Sequence, residues 1–184
     1  MSTINKTIDG EEGATRRDFL HVAATGLGGV GAAAAVWPFI DQMNPAADTL
    51  ALATVEVDLS AIGEGEAVKV MWQGKPIFIR HRTATEIEEA RSVNVAELVD
   101  KQTDAERVTE GQEKWLVVTG ICTHLGCVPV GTSDGEDKGE FGGWFCPCHG
   151  SHYDTSGRIR KGPAPKNLPV PVYTFLSDTT LQIG

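Results

Sequence analysis

All four cysteines of this 184-residue chain fall between Cys122 and Cys148, and two of them stand beside histidines in a fixed pattern. The first stretch reads Cys122-Thr123-His124-Leu125-Gly126-Cys127. The second reads Cys146-Pro147-Cys148-His149-Gly150-Ser151-His152-Tyr153. Cysteines that only staple a fold are scattered along it, whereas cysteines clustered beside histidines point to a metal site. The shared kernel is C-x-H, then C-x-x-H, with one thiolate and one imidazole in each stretch. Cys122, His124, Cys146 and His149 are therefore the candidate ligands. Cys127 and Cys148 remain, at matching places in the two stretches. Four cysteines allow three pairings. A bond between these two would tie the stretches together, and it would persist only in an oxidising compartment. An all-disulfide reading leaves both patterned histidines unexplained.

Two metal chemistries compete for this pattern. Structural zinc takes Cys₂His₂ in a tetrahedron, but paired zinc ligands usually lie roughly two to four residues apart, and C-x-H leaves one. The extra cysteine pair has no role in a zinc ribbon. A Rieske-type [2Fe–2S] centre instead has two cysteines on one iron and two histidines on the other. C-x-H facing C-x-x-H supplies one ligand of each kind per loop, so each iron is clamped from both sides.

The rest of the chain narrows the setting. A formal charge of −9 argues against nucleic acid as a partner, because phosphate binding needs a basic face. Residues 1–15 are polar and read as a disordered tail. Thr15-Arg16-Arg17-Asp18-Phe19-Leu20 resembles a twin-arginine export signal. Residues 16–40 read as a signal-anchor helix. The apolar run from Phe19 to Ile40, at about 1.5 Å per residue, just crosses a hydrocarbon core of about 30 Å. The arginine pair would stay on the cytoplasmic side. The rival reading is a cleaved signal peptide with Ala51-Leu52-Ala53 as the cleavage site. That site lies well past the apolar run, which favours a retained anchor.

Residues 41–53, small and with one proline, read as a flexible tether. Residues 54–184 read as a β head. Strands are expected over Val55–Leu59, Ala67–Trp72, Pro76–His81, Trp115–Thr119, Gly143–Phe145, Pro171–Leu176 and Thr180–Ile183, with a hairpin turn at Gln73-Gly74. Thr83 and Glu86 form a capping-box pattern for a helix running to about Arg91. A second helical piece is expected over Val95–Lys101, followed by polar loop to Glu113.

The two cysteine stretches resemble the cluster loops of the Rieske protein of ubiquinol–cytochrome c reductases, the cytochrome bc complexes. GKPIFIRHRT and FGGWFCPCHGSHYD look especially like the purple-bacterial type. The resemblance runs almost the whole length, including Gly162-Pro163-Ala164-Pro165, which is similar to the family's proline loop covering the cluster. It implies a mainly β fold, a Rieske antiparallel β-sandwich head with a small helical insertion and one N-terminal transmembrane helix. It implies one [2Fe–2S] cluster with Cys122 and Cys146 as thiolate ligands and His124 and His149 as imidazole ligands. It further implies a Cys127–Cys148 disulfide, and Ser151 and Tyr153 donating hydrogen bonds to cluster sulfur. Leu125 would shield the cluster and touch the quinone pocket. Donors to sulfur favour the reduced cluster, pointing to the upper part of a range of roughly −150 to +300 mV.

The function implied is to accept one electron, with a proton, from ubiquinol, His149 making the quinone contact and His124 the second exposed ring. The electron then passes to the c-type cytochrome subunit, contributing to proton translocation. The implied partners are that subunit and the cytochrome b subunit, in a dimeric complex of the bacterial inner membrane. The N-terminus would be cytoplasmic and the head periplasmic, swinging on residues 41–53. The small subunit of an arsenite-oxidase-like periplasmic enzyme also combines twin-arginine export with a Rieske site, and a retained anchor separates the two readings.

Overall fold

A computed structural model describes residues 15–44 and 53–184. The tail expected over residues 1–15 lies outside these except for Thr15. Most of the tether expected over 41–53 lies outside them as well, as do Ala51 and Leu52 of the candidate cleavage site.

Helix α1 spans Arg16–Asp41. Thr15 starts it with a capping box: the Asp18 backbone N–H donates to the Thr15 hydroxyl at 3.3 Å, and the Asp18 carboxylate accepts from the Thr15 N–H at 2.9 Å. At 1.5 Å per residue it is about 39 Å long. None of its residues is buried, and it is long and apolar enough to cross a membrane.

The head is built from nine short strands in three antiparallel sheets. In chain order they are β1 (Val55–Asp58), β2 (Ala67–Trp72), β3 (Lys75–His81), β4 (Trp115–Thr119), β5 (Gly142–Cys146), β6 (Ser151–Asp154), β7 (Ile159–Lys161), β8 (Tyr173–Ser177) and β9 (Thr180–Ile183). The sheets run β1-β9-β8, β2-β3-β4 and β5-β6-β7. Gln73 and Gly74 join β2 to β3 with φ of 48° and 72°, the left-handed pair a two-residue hairpin requires.

Strands β3 and β4 are buried on both faces. Side chains alternate along a strand, so two cores share one sheet. Ile77, Ile79, Trp115 and Val117 pack with Leu59, Ile62, Leu181 and Ile183 in the first core. Phe78, Leu116 and Val118 turn the other way and pack with Trp144, Tyr153, Ile159, Leu168, Cys122 and Cys146 in the second. The second core is the floor of the cysteine stretches.

Helix α2 spans Ala84–Ser92 and starts at the expected Thr83–Glu86 capping box. The helix expected over Val95–Lys101 is only a 3₁₀ turn at Val95–Glu97. Leu98 turns into the interior, and the chain extends so that Asp100 reaches Asn167. The polar segment that follows holds another 3₁₀ turn, Ala105–Arg107. Strands β6 and β7 are additional to the expected set. Strand β5 crosses β6 closely: a Cβ on Gly143 would lie 2.1 Å from Asp154 O.

Four arginines are buried in this small head: Arg80, Arg82, Arg107 and Arg158. Arg82 donates to Asp104 Oδ1 at 2.6 Å, and both side chains are all but inaccessible. Burial alone would raise the Asp104 pKa. Hydrogen bonds from Arg82 and Ser156, with the charges of Arg82 and Arg158, outweigh that effect and lower it. A carboxyl with a lower pKa folded than unfolded stabilises the fold fully above its unfolded value, about 3.9, and loses that contribution as pH falls towards the folded value. Asp104→Ala leaves Arg82 unpaired and is expected to cost about 3–5 kcal/mol at neutral pH. Denaturant unfolding should show this gap to wild type at pH 7 and a markedly smaller one below pH ~3.9.

Candidate metal centre

The two cysteine stretches are tight turns of the same construction. Gly126 N donates to Cys122 O, and Gly150 N donates to Cys146 O, each at 3.0 Å. Both glycines close their turn at positive φ, 81° and 75°, which side chains rarely adopt. Strand β4 leads through Gly120 and Ile121 into the first turn. Strand β5 ends on Cys146, and β6 leaves from Ser151.

A disulfide joins Cys127 to Cys148 and ties the turns face to face, with Cα atoms 6.8 Å apart. Cys122 and Cys146 are free thiols, each 2% exposed. The Cys146 sulfur lies within 4.8 Å of both disulfide sulfurs, but those two are bonded to each other and have no thiolate to offer a metal. The rings of His124 and His149 lie perpendicular, 4.6 Å apart. His149 is exposed and His124 half-buried. His124 Nδ1 is buried with no hydrogen-bond partner among the described residues. An inward-facing imidazole nitrogen left unsatisfied is costly unless something binds it.

The pocket treats the two free sulfurs differently, favouring negative charge on Cys122 and not on Cys146. Burial pushes both free thiols up. At Cys122 the Tyr153 hydroxyl, the His124 backbone N–H and the Cys146 and Ser151 side chains outweigh burial and lower the pKa. At Cys146 burial and the neighbouring Cys122 sulfur keep the pKa raised, although the Cys148 and His149 backbone groups pull against them. The Tyr153 hydroxyl, itself pushed up by burial, sits 3.2 Å from Cys122 Sγ. Two buried thiols, an orphaned imidazole nitrogen, a second imidazole facing it and donors aimed at sulfur fit a [2Fe–2S] centre of mixed ligation.

The loop Gly162–Asn167 lies against both turns. Gly162 comes so close that a Cβ there would meet Gly150 O at 2.3 Å. Ala164 N donates to Ser151 Oγ at 3.3 Å, and the hydroxyl hydrogen of Ser151 is left for another acceptor. Leu125 is 70% exposed, so it is a surface residue beside the histidines rather than core. Thr123 escaped the sequence reading. Its hydroxyl donates to Lys166 O at 2.6 Å and accepts from Lys166 N at 3.3 Å, latching the first turn to this loop. A threonine between Cys122 and His124 carries no signal of that latch. Asp154 accepts from the backbone N–H groups of Ser156 and Arg158 and from Arg158 Nε, all at 2.9 Å, and so shapes the turn after β6.

Such a fold and site define a class, the Rieske [2Fe-2S] domain, whose family matches residues 60–174 of this chain. The Ubiquitinol-cytochrome C reductase Fe-S subunit TAT signal family matches residues 7–46. The chain is 65% identical over 170 residues to the Ubiquinol-cytochrome c reductase iron-sulfur subunit of Rhodospirillum rubrum, covering 92% of each protein. It is 62% identical to the subunit of that name from Bradyrhizobium diazoefficiens, covering 92% of this chain and 94% of that one. A solved chain of "Hyperthermophilic respiratory Complex III" shares the fold, with a TM-score of 0.53 at 24% identity, over 88% of this chain and 98% of its own. The chain belongs to the ubiquinol–cytochrome c reductase iron–sulfur subunits, and its cofactor is a Rieske [2Fe–2S] cluster.

The hydroxyls of Tyr153 and Ser151 differ in what removing them tests. Tyr153→Phe deletes a donor 3.2 Å from Cys122 Sγ, whereas Ser151→Ala deletes a hydroxyl that also favours the Cys122 thiolate and, in addition, removes the acceptor of Ala164 N. A lost bond of about 1.4 kcal/mol to the reduced state corresponds to about 60 mV for one electron. Redox titration should show each variant with an intact cluster and a midpoint potential lower by about that amount.

Proposed function

We propose that Cys122 and Cys146 hold one iron of the cluster and His124 and His149 the other. In this reading the chain carries single electrons from ubiquinol to the c-type cytochrome subunit of its complex. The observation that carries the proposal is the pairing of two buried free thiols with two facing imidazoles, one of them with a buried, partnerless Nδ1. Relatives at 65% and 62% identity named for ubiquinol–cytochrome c reductase support the substrate and the partners.

When bound, the group supplies a one-electron acceptor whose potential is raised by neutral imidazole ligands and by donors to sulfur. The chain's own residues do the rest. With Nδ1 of His124 turned inward, its Nε2 can hold a proton. The exposed His149 ring accepts a hydrogen bond from the quinol hydroxyl at its outer nitrogen and takes that proton as the electron moves. Leu125, exposed beside the rings, keeps water from that contact. Thr123 and the disulfide hold the two turns in register, so that electron transfer requires little rearrangement.

Helix α1 anchors the chain in this proposal, with Arg16 and Arg17 on the cytoplasmic side and the head on the other. The export-signal match over residues 7–46 and the disulfide, which persists only in an oxidising compartment, support that orientation. The complex is a dimer, and the head swings on residues 41–53 between the quinol site and the cytochrome.

Electron paramagnetic resonance of the reduced protein tests the ligand assignment. The expected result is the rhombic signal of a mixed-ligand [2Fe–2S] centre, in membranes that also yield b-type haem on purification. Silence with stoichiometric zinc defeats it. Consecutive prolines placed between Asn44 and Ala53 should slow quinol-to-cytochrome turnover several-fold while leaving that signal unchanged. Wild-type turnover in this variant would remove the swing.

A further inference from the structure

The segment that reads in the sequence as plain polar loop carries a buried guanidinium. Arg107 is 2% exposed. Its Nε donates to Ser156 O at 2.6 Å, and its Nη1 to Gln102 Oε1 at 2.6 Å. Its Nη2 donates to Leu168 O at 2.6 Å and to Gly157 O at 3.5 Å. Arg80, Arg82 and Arg158 each pair with a carboxylate, but Arg107 forms no ion pair among the described residues. Burial pulls its pKa down to about 10, which leaves it charged at neutral pH. A buried cation held only by neutral oxygens is expensive to keep.

What Arg107 grips is the root of the loop that covers the metal turns. Leu168 directly follows that loop, and Asn167 is pinned beside it. Asn167 N donates to Asp100 Oδ2 at 2.9 Å, and its Nδ2 donates to Asp100 O at 3.2 Å and to Gln102 Oε1 at 2.9 Å. Its Oδ1 accepts from Ile159 N at 3.0 Å. Gln102 Oε1 is thus shared by Arg107 and Asn167. From this fixed root the loop reaches forward to Ser151 through Ala164 and to Thr123 through Lys166.

We propose that Arg107 is a positioning residue for the metal centre: it fixes the root of the Gly162–Asn167 loop, and through that loop the Ser151 and Thr123 hydroxyls. Its positive charge, only partly offset by the more distant carboxylates of Asp154, Asp100 and Asp104, adds to the same effect, because it favours the reduced, more negative cluster. The inference rests on the ligand assignment proposed above, and its test separates the two.

The experiment is an EPR-monitored redox titration on membranes holding the full complex, with wild type, Arg107→Gln, Arg107→Lys and Asn167→Ala. Arg107→Gln is expected to keep the rhombic signal, with shifted g values and a lower midpoint potential. Arg107→Lys keeps the charge and should stay nearer the wild-type potential. Asn167→Ala loosens the root without touching the charge, so its g values should shift with a smaller fall in potential. Native g values and native potentials in both Arg107→Gln and Asn167→Ala, with only a lower melting temperature, would overturn the proposal. If Arg107→Gln loses its cluster, Asn167→Ala decides: unchanged g values and potential overturn the proposal, and a shift in them supports it. Absence of the rhombic signal in wild type counts against the ligand assignment instead.

Discussion

The head depends on two paired strands, β3 and β4, having no wet face. Because β3 and β4 are covered on both sides, Phe78 and Leu116 floor the metal turns while their neighbours Ile77 and Trp115 fill a separate core. Phe78 stacks on Trp144, with centroids 5.7 Å apart. The chain then passes directly over the Phe78 ring on its way to Cys122: a Cβ on Gly120 would lie 2.3 Å from it. Interiors this tightly packed transmit small volume changes, so the position of the first turn is set by an aromatic ring in the middle sheet. The matching turn is fixed independently, by the β5–β6 hairpin, and the disulfide registers one against the other.

The second organising element is charge inside the fold. Arg80 and Arg82 lie on the same side of the chain as Phe78 and extend the β3 face beyond its apolar part. Arg80 pairs with Glu86 and lies over Trp144. Arg158 bonds Asp154 at 2.9 Å and reaches Ala90 O, at the end of α2, at 2.7 Å. The planar, many-toothed guanidinium can hold two chain segments at once, which a lysine cannot do in the same geometry. The helical insertion is therefore fastened to the metal-binding half largely through polar forks, with Ala90 and Leu98 as its buried apolar contacts.

The division between legible and illegible features follows from this. Strands β2, β3, β4 and β9 show in the sequence because apolar and β-branched residues mark them, and α2 shows because Thr83 and Glu86 are the capping-box residues. The gathering of Cys122, His124, Cys146 and His149 shows because C-x-H and C-x-x-H each place a thiol and an imidazole on one tight turn. Strand β6 does not show, since Ser151-His152-Tyr153-Asp154 is polar yet buried at three of its four positions. Arg107 and Asn167 do not show either. Such residues are usually solvated, and it is partners remote in sequence, among them the carbonyls of Ser156, Leu168 and Asp100, that explain their burial. Val95–Lys101 reads as helix by composition, and the long-range bonds of Asp100 override that preference.

The pairing of β1 with β9 carries a mechanical consequence. The chain enters the head at Ala53, whose carbonyl accepts from Trp72 Nε1 at 2.7 Å, and Val55 at once pairs with Ile183. A pull or twist arriving through that entry is borne by the β1–β9–β8 sheet and the first core, in shear across a ladder of hydrogen bonds. The turns bearing Cys122 and Cys146 hang from the opposite core, on the far face of the shared sheet. Strain entering there falls first on the core packed against Leu181 and Ile183, and Cys122 and Cys146 belong to the other core, across the shared sheet.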